Sequence, residues 1–95
     1  MSLIISPKIA AKLSSKERPV SRQEVVEVFA NRSGAYLTDD REEHASDPPT
    51  LWFVAETDSG RRLKVMFIAR DGNIYLRSAY DANAEVTRIY QKYSN

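Results

Sequence analysis

Apolar positions change period twice along the chain. They recur every three or four residues up to residue 31, alternate or run together between 51 and 79, and return to helical spacing after 81. The short run Leu3-Ile4-Ile5 reads as an edge strand. Ser6-Pro7 pairs a helix cap with proline at the first helical position, where its missing N–H is not needed. Ile9, Ala10 and Leu13 give a stripe that predicts a first helix over 7–15, and Pro19 stops any continuation. Ser21-Arg22-Gln23-Glu24 is a capping box, since serine and glutamate can each satisfy an orphan amide. Val25, Val26, Val28 and Phe29 then place a second helix over 22–31, with Gly34 suited to the turn after it.

Strand signals follow. Tyr36-Leu37 is a short candidate, residues 39–49 form a polar loop around Pro48-Pro49, and 51–57 is aromatic and β-favouring. Asp58-Ser59-Gly60 turns the chain into 63–69, whose second half is apolar on both faces, as in a strand covered from both sides. Asp71-Gly72 predicts a two-residue hairpin into a last strand over 74–79. Asp81 can cap a final helix with Val86, Ile89, Tyr90 and Tyr93 on one stripe. Trp52 and Phe53 must point to opposite faces, so one of them is expected in the core with Phe29 and Phe67. Two N-terminal helices, an antiparallel meander and a C-terminal helix make an α+β sandwich, with residues 1–95 as a single domain.

Composition narrows the chemistry. The chain has 95 residues, 42% apolar and 28% charged, the make-up of an ordinary globular domain. The absence of cysteine removes disulfides, thiolate zinc sites and Cys nucleophiles, and a single histidine rules out a two-histidine metal site within one chain. Three isolated glycines make no phosphate loop, and no cofactor is implied. No apolar run approaches the roughly 18 residues of a membrane span, and residues 1–5 are too short for a signal-peptide core, so a cytoplasmic, non-membrane protein is expected.

Net charge is only +1, but its placement is uneven. Residues 8–22 carry +4, residues 39–58 carry −6, and residues 61–77 carry +4 again, an order that can fold into one basic and one acidic face. The acidic stretch lacks the alternate ligands and central glycine of a calcium loop, so it reads as solvated and no metal site is expected. It surrounds His44, where carboxylates favour the imidazolium and a role as general acid. In the basic meander, alternation puts Arg62, Lys64 and Arg70 on one face with Met66 and Ile68 between them, while Arg77 shares a face with Tyr75. Arginine beside exposed tyrosine suits RNA, guanidinium for phosphate and ring for base.

The stretches Asp40-Arg41-Glu42-Glu43-His44, residues 47–57 (DPPTLWFVAET) and residues 60–75 (GRRLKVMFIARDGNIY) carry a resemblance over nearly the whole chain. The sequence resembles a family of small bacterial proteins labelled ADP-ribosyl-(dinitrogen reductase) hydrolase. More distantly it resembles BrnT-type toxins, RelE-like ribonucleases of type II toxin–antitoxin systems, whose G-R-x-L-x-V strand is matched by residues 60–65. The hydrolase label implies a much larger all-helical enzyme with a two-magnesium site, which a chain of this length cannot form. The toxin resemblance implies a RelE-like sandwich acting on RNA, with a small antitoxin protein as partner. On that reading Arg61, Arg62, Lys64 and Arg77 take phosphate, His44 and Tyr80 move protons, and Arg41 and Glu42 position the loop around His44. The alternative is a non-catalytic protein-interaction module, and a homo-oligomer is left open.

Overall fold

Ser6 and Ser21 begin the first two helices as their positions predict. In the computed structural model, which describes residues 2–41 and 47–94, the Ser6 hydroxyl accepts from the Ile9 amide at 3.2 Å and opens α1 (Pro7–Ser14). Ser21 and Glu24 close a reciprocal capping box, at 3.1 and 3.0 Å, at the start of α2 (Arg22–Asn31). The strands are β1 (Leu3–Ile4), β2 (Leu37–Thr38), β3 (Leu51–Glu56), β4 (Arg62–Arg70) and β5 (Asn73–Asp81), and α3 (Ala84–Tyr93) closes the chain. The α+β class and the order of helices, meander and final helix are as expected.

The sheet runs β1-β5-β4-β3-β2. From β2 to β5 every pairing is antiparallel, and Arg70 pairs with Asn73 across the Asp71-Gly72 turn, where both residues have positive φ (53° and 78°). That is the backbone a two-residue primed turn requires. β1 differs from the expected meander: it adds to the β5 edge in parallel, Leu3 opposite Ile74, so the sheet is mixed. The β4–β5 ladder slips once. Met66 faces Ser78 and Phe67 faces Leu76, which leaves Arg77 as an extra residue in a bulge.

The two faces of this sheet are covered differently. One carries Leu63, Val65 and Phe67 of β4 with Phe53 of β3, and α2 lies across it, Val25 and Val28 fully buried. Phe29 meets Phe53 and Phe67 edge-on, with ring centroids 4.8 and 5.2 Å away. Tyr36 caps the same pair at 5.6 and 5.0 Å, and the Arg32 guanidinium stacks on Tyr36 at 4.0 Å. Such tilted contacts suit the ring quadrupoles, and each buried large side chain contributes about 2–3 kcal/mol. The expected aromatic core is therefore present, with Phe53 as its β3 member. Trp52 points to the other face and packs at 5.7 Å from Tyr90 of α3.

Two local expectations are corrected. Asp81 does not cap the final helix. It is the last residue of β5, and Asn83 is the cap, accepting from the Val86 amide at 2.8 Å. Gly34 supplies clearance instead of a turn: a Cβ there would lie 2.6 Å from Ser94 Oγ and 2.7 Å from the Tyr90 hydroxyl. That hydroxyl donates to the Ala35 carbonyl at 2.8 Å, and the Ala35 amide donates to the Ser94 carbonyl at 2.9 Å, tying the end of α3 to the 34–35 segment. Burial pushes the Tyr90 phenol pKa up, against the opposing effect of its hydrogen bond with Ser94.

Candidate functional site

Alternation along β4 places Arg62, Lys64, Met66, Ile68 and Arg70 on the α3 side of the sheet, as the sequence predicts. Their partners on β5 include Tyr80 opposite Lys64, Ser78 opposite Met66 and Tyr75 opposite Ile68. Tyr75 and Tyr80 stand five residues apart and would lie on opposite faces of a regular strand. The bulge at Arg77 brings them to one face.

This face carries a cationic pocket at its centre. Lys12, Arg41, Arg77, Ser78 and Tyr80 line a pocket of about 270 Å³, with buried Met66 and Thr50 also on its walls. Lys12 comes from α1, which packs on β5. Arg41 is held by Asp39, whose carboxylate accepts from Arg41 Nε and Nη2 at 3.0 Å each. Asp39 is itself anchored through its amide, which donates to the Thr50 carbonyl at 2.8 Å. Lys12 and Arg77 have no carboxylate partner among the described residues. The Lys64 ammonium lies 4.6 Å from the Trp52 ring centroid and 5.8 Å from that of Tyr80, and Lys16 approaches the Tyr80 ring at 5.7 Å. Two ammonium groups thus flank the phenol ring that borders the pocket.

Arg61 has a different place from the one expected. Its side chain is 14% exposed and enclosed by internal acceptors. Nε and Nη2 donate to Asp81 at 2.9 and 3.0 Å, and Nη1 donates to Glu24 Oε2 at 3.0 Å and to the Pro19 carbonyl at 2.8 Å. Nη2 also reaches the Arg18 carbonyl at 3.0 Å. The Arg61 hydrogen bond and charge hold the Asp81 carboxyl below its ordinary value, against burial. For Glu24 burial works upward, but the Ser21 amide and the Arg61 guanidinium outweigh it and lower the pKa. Asp81 and Glu24 in turn raise the Arg61 pKa, keeping its charge fixed. A guanidinium so surrounded clamps α2 and the 18–19 segment to the end of β5; it is not available to a phosphate. Arg62 is exposed but lines another cleft, of about 640 Å³, beside Glu56 and Asp58, with Glu56 Oε1 4.0 Å from its Nη2.

Of the residues singled out in the sequence, Arg41, Arg77 and Tyr80 share one pocket and Lys64 stands beside it. Arg61 and Arg62 lie elsewhere, and His44 and Glu42 fall outside the described residues. Lys12, Lys16 and Ser78 were missed. Lys12 lies on the expected first helix, but Lys16 falls beyond its end, so helical spacing does not pair them. Nothing local marks Ser78, which owes its position to the bulge. Among the described residues no three His, Cys, Asp or Glu side chains gather as a metal site would, and no helix is long and apolar enough to cross a membrane. Comparison of the chain with protein-family models, with curated proteins and with solved structures returns no match.

Proposed function

We propose that the protein is an RNA-binding protein of the toxin-like ribonuclease type, acting in the cytoplasm through the pocket between α1, β4 and β5. One observation carries this reading: Lys12, Arg41, Arg77, Ser78 and Tyr80 all line a single small pocket. Lys12 and Arg77, which have no carboxylate partner among the described residues, suit a backbone phosphate in a space of about 270 Å³. The Arg77 guanidinium can donate to two phosphate oxygens at once, while Arg41 is already paired with Asp39 and adds its charge at the rim. In cleavage, a ribose 2′-oxygen bonds to phosphorus while the bond from phosphorus to the 5′-oxygen breaks. The cations stabilise the charge that gathers on the phosphoryl oxygens. Tyr80 serves as the donor to the departing 5′-oxygen, and the 2′ proton passes to water. His44, expected from the sequence as a proton-transfer group, lies outside the described residues and is given no step in this cleavage.

The test is purified protein with RNA across a range of salt. Affinity should fall steeply as salt rises, because each phosphate contact releases counterion. Arg77→Ala and Lys12→Ala should each weaken binding for all sequences and flatten the salt slope by about one. Tyr80→Phe should keep binding and slow cleavage roughly 10²–10⁴-fold. Absence of binding at low salt overturns the reading.

The protein-interaction alternative has its own observation. An apolar groove of about 590 Å³ runs between α2 and the β1 edge, lined by Leu3, Val26, Phe29, Tyr36 and Ile74. Val26 and Tyr36 are 43% and 39% exposed there. A small partner protein, an antitoxin on the toxin-like reading, would occupy this side and leave the cationic pocket on the opposite one. Val26→Asp should then abolish the partner complex and spare RNA binding.

A further inference from the structure

A second cleft adjoins the cationic pocket, and Arg41 lines both. It encloses about 580 Å³ between the end of α3 and the 37–41 segment. That is room for a nucleoside, since small-ligand pockets run roughly 300–1,000 Å³. Its walls have a different chemistry from those of the phosphate pocket. Tyr93 and Ile89 of α3 stand on one side, 62% and 41% exposed, and Trp52 and Lys64 contribute from the sheet. Asp39 and Asp40 bring carboxylates to the same cleft. Asp39 is engaged by Arg41, whereas Asp40 is exposed and makes no hydrogen bond or ion pair among the described residues.

We infer that this cleft is a nucleobase subsite selective for guanine, holding the base next to the phosphate bound in the cationic pocket. The inference rests on the RNA reading above and gives it a sequence preference. Exposed Tyr93 offers a flat surface on which an unpaired base can stack, while Trp52, already covered by Lys64 and Tyr90, forms the apolar wall of the cleft. Lys64, 4.6 Å from the Trp52 ring and 5.8 Å from that of Tyr80, stands where the two clefts meet and can accompany the sugar–phosphate that links them. The carboxylate decides which base. Guanine presents two adjacent donors, N1–H and the 2-amino group, which match the two oxygens of Asp40. Uracil presents a single N–H between two carbonyl oxygens that a carboxylate repels. Adenine and cytosine offer an amino group next to a ring nitrogen that has no proton.

The chain contains one tryptophan, and it lines this cleft, so its emission reports on the cleft and on Lys64 beside it. The full chain is titrated with guanosine 3′,5′-bisphosphate, uridine 3′,5′-bisphosphate and ribose 5-phosphate, followed by Trp52 emission and by calorimetry. The guanosine compound should change the emission and bind at least about fivefold more tightly than the uridine one. Tyr93→Ala should cost the guanosine compound about tenfold in affinity and leave ribose 5-phosphate unaffected. Asp40→Asn should remove the preference for guanosine while stacking persists. Equal binding of all three compounds, still dependent on Arg77, overturns the subsite and leaves the RNA reading standing. RNA binding without any binding of the bisphosphates does the same. Loss of all RNA binding in the unmodified chain overturns both.

Discussion

Val65 and Met66 are neighbours in β4 and both are buried, at 0% and 6% exposure, yet they lie in different surroundings. Val65 sits under α2 on the face that carries Phe29, Phe53 and Phe67, where apolar groups close the space on every side. Met66 lies on a pocket wall shared with Lys12, Arg41, Arg77 and Tyr80. The same contrast separates two arginines. Arg61 is enclosed by two carboxylates and two carbonyls, and Arg77 has no carboxylate partner among the described residues. Buried position and formal charge therefore say little about availability. What decides it is whether the neighbours already complete the group's bonding or leave that to a ligand.

The comparison of faces can be broken most sharply in the aromatic core. Phe67→Ala should lower stability by about 3–5 kcal/mol in urea denaturation, because the surrounding rings cannot collapse into the space. Met66→Ala should cost less, since the vacated volume opens on a pocket that water can fill. Equal losses would mean that both faces are equally closed. Next in size, Arg61→Ala should destabilise by about 3 kcal/mol, leaving Glu24 and Asp81 without their common partner. RNA affinity measured on the folded fraction should not change.

Acid should act on the same cluster less strongly. Glu24 and Asp81 titrate below their ordinary values of 4.5 and 3.8 in the folded chain. Their contribution is complete above about pH 5 and is lost as pH falls through the depressed folded values. The thermal midpoint should drop over that range, and Arg61→Ala should flatten the drop. Smallest in stability is Arg77→Ala, within about 0.5 kcal/mol of the parent chain, because an exposed residue with no ladder partner is removed. If it instead unfolds the protein while Arg61→Ala does not, the roles of the two arginines are reversed.

Local chemistry made much of this fold legible. Ser6, Ser21 and the Asp71-Gly72 pair act through neighbours within a few residues, so their helix starts and hairpin can be read directly. What escaped depends on distance along the chain. Arg61 finds its acids 37 and 20 residues away, and no pattern around residue 61 announces them. The parallel seat of β1 joins residue 3 to residue 74, again without a turn to mark it. The site was half legible for the same reason. Alternation placed Lys64 correctly, and Arg77 and Tyr80 were recognised as residues, but the irregularity that unites them carries no glycine or proline. Lys12 joins the pocket from a helix whose position against β5 is a tertiary outcome.

In terms of chain length, the bulge means that β5 holds one residue more than its ladder needs. Leu76 and Ser78 already oppose consecutive residues of β4, Phe67 and Met66. Excising residue 77 would join them into a regular strand, with Tyr80 still opposite Lys64 and Asp81 still opposite Leu63. The third cation of the pocket is thus an insertion laid over a complete framework. The strand has one residue of slack, and it is located at the site where the proposed chemistry occurs. Shortening the chain there subtracts a charge and leaves the architecture in register.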